Sequence, residues 1–368
     1  LRAVLLVVTA AMFAGSLATF TGVMSTVRDA AARTAPAVLE VMAARWALVQ
    51  ADSSAMASFQ TGLGGFIGPS KQYQEQIAIA SQNLAKVAEH NSAGEEGSRA
   101  LQLVEGLVVA YGRWIEDADA HFRADAVNSQ GATPIGVADL WFASRLMHGT
   151  DLGTTAPSGT ADSGIIDQLD TLEKTQHNAL DTQLSQGWMS PAGALAWLLP
   201  ALILLGFLLV AQIFLNRRFS RTFNPALVVA TVLLGLVVAG MWTVFDARNK
   251  SDAASGTLNS VVNKWDAQTR SVAVDGQREL AEMVRKQCGS DCGETAGPFI
   301  ARFADVARSA QTADQVGIDE TKQVNSKLAA ADQSGFLNYS LPLGVLMIAA
   351  LVLLGLQSGI DEYRYQAS

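Results

Sequence analysis

Four stretches without a charged residue or a histidine, 3–23, 192–215, 225–245 and 341–356, constrain this chain more than any other feature. A helix rises 1.5 Å per residue, so about 20 apolar residues cross roughly 30 Å of hydrocarbon. The first three stretches meet that length directly. The fourth is shorter, and Phe336, Leu337 and Tyr339 before it with Tyr363 after it supply interfacial aromatics to complete it. Overall, 49% of side chains are apolar and 16% charged, and the mean hydropathy is +0.22. Soluble domains average about 25% charged residues, so this balance excludes a disordered chain and argues against an ordinary water-soluble enzyme. The expected fold is an all-α integral membrane protein with four transmembrane helices and two extracytoplasmic helical domains.

Arg2 and the small residues Ala14, Gly15, Ser16 and Ala18 also fit a cleaved secretory signal. The length of the apolar run and its continuation into a helical pattern favour an uncleaved span. A chain that starts at Leu1 is expected to lack an N-terminal piece. The short segment 216–224 carries Arg217, Arg218 and Arg221 and no acid, the mark of a retained cytoplasmic loop. Residues 26–189 hold 10 Lys+Arg against 19 Asp+Glu, and 246–338 hold 11 against 13, so both are expected outside the cell. The implied plan is span 1–25, a large bundle at 26–191, span 192–215, loop 216–224, span 225–245, a helical hairpin at 246–338, span 339–357 and tail 358–368. The localisation that follows is the plasma membrane, with both termini cytoplasmic.

In the second outward segment, Leu258, Val262, Trp265, Thr269, Val272, Leu280 and Val284 recur at helical spacing. Gly289, Gly293 and Gly297 interrupt it around Cys288 and Cys292, which are expected to form a disulfide in an oxidising compartment. Phe299, Phe303, Val306, Ala310 and Ala313 restart the rhythm, with Pro298 placed for a first turn, and the whole reads as an antiparallel hairpin. In the first segment, a helix with Val38, Met42, Arg45, Trp46 and Val49 on its packing side, early-kinked at Pro36, should run to about Phe59. Further helices are expected from Ser70 to His90, Gly94 to Asp125, Pro134 to Met147 and Ile165 to Gln186. Leu101, Val104, Leu107, Val108, Tyr111, Ile115 and Phe122 form the strongest stripe. A helical bundle fits these signals.

Signatures of catalysis are few. His90, His121, His148 and His177 do not form a two-histidine zinc pattern, and no phosphate loop, dinucleotide fingerprint or serine elbow occurs. Asp117, His121 and Asp125 share a helical face, read as solvated acidic surface rather than a metal site. No catalytic residue, metal or cofactor is expected, and no nucleic-acid partner. Gln212 is the one strongly polar side chain in the four blocks, which gives an ion route little support. Small residues at Ala10, Ala11, Ala14, Gly15, Ala18, Gly235 and Ala239 suit close helix packing instead. Leu63, Phe66 and Ile67, in the turn of Gly62, Gly64, Gly65 and Gly68, form a candidate docking tip for another protein.

The segment Tyr111, Gly112, Arg113, Trp114, Ile115, Glu116 and the run 128–147, with Pro134, Trp141, Phe142 and Arg145, resemble the large ectodomain of actinobacterial GlnX-type membrane proteins. Arg217, Arg218, Phe219, Ser220 and Arg221 before Asn224 and Pro225 reinforce the resemblance. It implies a noncatalytic receptor or adaptor relaying glutamate, aspartate or glutamine availability. The implied partners are a solute-binding lipoprotein outside and a serine/threonine kinase of the protein kinase G type inside, beside the lipid bilayer, with a homo-oligomer open. Arg217, Arg218 and Arg221 then serve as topology anchors or output contacts. A structural subunit of an envelope complex is the alternative reading, and transport a third.

Overall fold

A computed structural model of the chain describes residues 2–61, 68–128, 134–149, 163–185, 201–210, 225–288 and 293–304, with single positions at 199, 213, 306, 326, 343, 344, 346–348, 350 and 351. The named helices are α1 (Arg2–Asp29), α2 (Ala35–Gln60), α3 (Lys71–His90), α4 (Gly94–Asn128), α5 (Pro134–His148), α6 (Ile165–Ser185), α7 (Pro225–Cys288) and α8 (Gly293–Phe303). No strand occurs among the described residues. The helical reading of 35–185 therefore holds, with ends displaced by a few residues. Ser70 caps α3, its hydroxyl accepting from the Tyr73 amide at 3.2 Å. Pro36, where a kink is expected, sits in the first turn of α2, and a π-turn at Ala30–Thr34 lies just ahead of it. A wider turn relaxes the backbone bonding that proline, lacking an N–H, cannot complete.

The four-span membrane architecture is overturned. Among the described residues, no helix is long and apolar enough to cross a membrane. Of 192–215, the structure describes helix at 201–210 and at positions 199 and 213. Of 341–356, it describes 343, 344, 346–348, 350 and 351. The first and third blocks belong to longer helices: α1 carries a fully buried Thr19, and α7 runs on through charged sequence to Cys288. The disulfide also fails to appear among the described residues. Cys288 Sγ instead donates to the Val284 carbonyl at 3.1 Å, within its own helix, and Cys292 lies outside the described residues.

The chain divides into two compact units. The first comprises 1–31, 181–256 and 324–368. In it Val23, Met24, Val27, Ala201, Leu204, Leu208, Ala230 and Leu234 are buried, while Leu202, Ile203, Leu209 and Val210 are exposed. The 201–210 helix is thus apolar on both its packed and its outward sides.

The second unit comprises 32–180 and 257–323, so the two segments read from sequence as separate lobes share one core. Leu280, Ala281, Met283, Val284, Phe299 and Phe303 pack into the same cluster as Leu48, Met56, Tyr111, Ile115 and Leu140. At the centre is α2, with 16 of its 26 residues buried. A helix apolar all round belongs inside a bundle rather than on its surface, and the alanines at 37, 44, 47, 51 and 55 bring neighbouring backbones close. Ring contacts join helices that are not consecutive in the chain: Phe59 of α2 to Phe122 of α4 at 5.0 Å and Trp141 of α5 edge-on to Phe299 of α8 at 4.6 Å. Pro298 lies inside α8, which starts at Gly293, rather than in a first turn.

Glycine marks two kinds of position in this unit. A Cβ built on Gly164 would stand 2.3 Å from the Gly149 nitrogen, so the backbones of α5's end and α6's start touch where no side chain fits. Gly149 itself, at φ 78°, donates its N–H to the Arg145 carbonyl at 2.8 Å and closes α5. Gly106, mid-way along α4, has open space around its would-be Cβ. Gly106→Ala is therefore expected to raise stability by about 0.5–1 kcal/mol through helix propensity alone. Thermal unfolding followed by circular dichroism checks this, and a lowered midpoint would contradict it.

Candidate functional site

Two polar layers cross the second unit, both built on buried residues of α2. Arg45 and Asp52 stand seven residues apart on that helix, at 6% and 1% exposure, in otherwise apolar surroundings. Buried polar groups persist where hydrogen bonds replace the water they lose. In the lower layer Asp52 supplies both acceptors. The Tyr111 hydroxyl of α4 donates to its Oδ1 at 3.0 Å, and the His148 ring of α5 donates from Nε2 to its Oδ2 at 3.0 Å. Next to them, Gln277 of α7 donates to the Ser144 hydroxyl of α5 at 2.9 Å.

The tyrosines of this layer resist ionisation. Burial, then the Asp52 charge, then the neighbouring Tyr73 and the hydrogen bond to Asp52 hold the Tyr111 hydroxyl well above its ordinary value. Burial, Glu116 and Asp52 do the same for Tyr73, whose ring lies 6.5 Å from that of Tyr111. Both phenols stay protonated through the physiological range, and Tyr111 remains a donor.

The upper layer is ionic. One nitrogen of Arg45, Nη1, faces Asp170 of α6 at 2.7 Å and also bonds Asp266 Oδ1 of α7. Arg270 takes the other Asp266 oxygen at 2.6 Å. Asp266 is thereby held below the ordinary carboxylate range: burial pushes it up, and Arg45 with Arg270 outweigh that push. Asp170 moves the other way, because burial and the Asp266 charge exceed the help from Arg45 and Lys174. Glu173, one turn along α6, is also raised, by burial first and then by Asp170 and Asp266 against His177 and Arg45. Arg45 Nε and Trp265 Nε1 are buried without a hydrogen-bond acceptor among the described residues. The upper layer thus sets a buried guanidinium against two half-buried carboxylates, with its donors not fully used.

The residues singled out from sequence fare differently. Leu63, Phe66 and Ile67, Arg217, Arg218 and Arg221, and Cys292 all lie outside the described residues. His121 of the Asp117, His121 and Asp125 face turns to α5, its Nδ1 2.7 Å from Asp139 Oδ2, while Asp117 is exposed. No cluster able to hold a metal ion occurs among the described residues. Arg45, read from sequence as part of a packing face, is buried and is also the hub of the ionic layer. Asp52 was missed. Its signal is one of two acids in an alanine-rich helix, placed seven residues after that helix's single arginine.

Comparison with curated proteins and with solved structures finds no match. A family model does match: residues 26–185, less than half of the 368, fit the family described as the actinobacterial sensor domain. The matched stretch contains the whole of α2 to α6, and with them Arg45, Asp52, Tyr111, His148 and Asp170. The match fits a sensor protein in actinobacteria, with a sensing or signalling role.

Proposed function

We propose that the bundle is a noncatalytic sensor that reports amino-acid availability by recognising a solute-binding lipoprotein, and that its output reaches a serine/threonine kinase of the protein kinase G type. The observation that carries this reading is the sensor-domain match over 26–185. The GlnX-type resemblance around Tyr111 and across 128–147 supplies the finer terms: glutamate, aspartate or glutamine, the lipoprotein and the kinase. The bundle's construction is compatible with such a role. Its two polar layers link α2 to α4, α5, α6 and α7, so a partner shifting one helix changes pairings made by the others.

The test is photo-crosslinking of the full chain from a reporter at Phe66, in the presence and absence of 1 mM-order glutamate, aspartate or glutamine, a concentration on the scale of ordinary ligand affinities. Capture of a solute-binding lipoprotein that changes with the amino acid supports the reading. Capture indifferent to all three amino acids, or none, overturns it.

A further inference from the structure

The ionic layer has a topological peculiarity. The chain enters the second unit at Ala32, just ahead of α2, leaves it after Leu180 in α6, and re-enters at Thr257 in α7. Arg45 of α2 pairs with Asp170 of α6 and Asp266 of α7, so one guanidinium ties α2 to the two helices within which the chain passes between units. It binds them unequally. Both acids bond the same nitrogen, Nη1, but Asp266 has a second guanidinium, Arg270, on its other oxygen. Asp170 shares Arg45 and faces Asp167 and Glu173 on its own helix, with Lys174 as the compensating cation. Glu173 in turn faces His177.

We propose that this node is a proton-operated switch, in which a proton taken up at Asp170 moves Arg45 from sharing between α6 and α7 to pairing with Asp266 alone. The inference stands on the bundle itself and is independent of the partner named above. Its sign follows from linkage. Asp170 and Glu173 are raised in the folded protein, so the folded state binds protons more readily, and their ionisation weakens it as pH rises through the raised values. Asp266 is lowered, so its contribution is present above the ordinary value of 3.8 and is lost as pH falls through the lowered one. These three groups together therefore favour the fold most just above the ordinary carboxylate range.

The test uses the full chain, with unfolding midpoints taken between about pH 8 and pH 4, from well above the ordinary carboxylate values down to them. The wild-type midpoint is expected to rise by roughly 2–4 °C on acidification. Asp170→Asn should start higher at the alkaline end and lose at least half of that slope, and Asp266→Asn should start lower. Asp170→Asn unfolding as early as Asp266→Asn at the alkaline end, or keeping the whole slope, overturns the switch. Should a variant not fold, hydrogen exchange on the wild type decides. Protection in α6 relative to residues 258–270 of α7 must fall on acidification once corrected for intrinsic rates, and an unchanged ratio overturns the proposal.

Discussion

Asp52→Ala is expected to lower the unfolding midpoint by on the order of 10 °C, the largest effect of any single change in the core polar layer. The reason is that Asp52 is the acceptor for two buried donors at once, Tyr111 and His148. Each donor left without a partner costs about 1–3 kcal/mol. For a domain of roughly 150–250 residues, every 1 kcal/mol moves the midpoint by about 2–4 °C. Asp52→Asn, which keeps one carbonyl acceptor, should fall between wild type and alanine. Thermal unfolding followed by far-ultraviolet circular dichroism separates these cases. An alanine variant that melts within about 2 °C of wild type, less than one such hydrogen bond is worth, would show that the layer contributes little to the fold.

Gly276→Leu should disrupt the seating of α7 against α2. A Cβ at Gly276 would already lie 3.1 Å from Ser53 Cα and 3.5 Å from Ser53 N, so the obstacle is backbone that cannot rotate away. Overpacking of this kind costs about 1–3 kcal/mol and occasionally more. The adjacent bond between Gln277 and Ser144 depends on the same close approach. Gly276→Ala should be much milder, because the alanine gains roughly 1 kcal/mol of helix propensity against its tighter contact. The measurement is hydrogen exchange along α7, where the leucine variant should lose about tenfold or more in protection over residues 270–284, the equivalent of about 1.4 kcal/mol. Undiminished protection there would mean the helices can part without cost at this point.

Local periodicity carried much of the bundle. The stripe from Leu101 through Val104, Tyr111 and Ile115 to Phe122 is the buried face of α4, and Leu258, Thr269, Leu280 and Val284 are buried along α7. These positions are legible because burial on one helical face repeats every three to four residues whatever the face packs against. For α2 the rule breaks down. Its packing side was read as one stripe, yet the helix is buried nearly all round, and a helix at the centre of a bundle has no polar face to reveal its orientation. The membrane reading was overturned because no helix among the described residues is long and apolar enough to cross a membrane. Counting apolar residues measures how much must avoid water, but not what covers it, and in the first unit Val23, Leu204 and Leu234 are buried against protein.

What the sequence determined by itself is the helical character of the described residues of the second unit, roughly where those helices start and stop, and the apolar faces of α4 and α7, all consequences of interactions within a few residues. Tertiary structure alone decided that 257–323 shares a core with 32–180, and that Arg45 and Asp52 anchor polar layers. Asp170 and Asp266 are 96 positions apart in the chain and reach one nitrogen of Arg45 through the packing of α6 and α7 on α2. No spacing rule encodes such a meeting, because it depends on which helices pack together, and that is settled by the fit of whole surfaces rather than by neighbours along the chain.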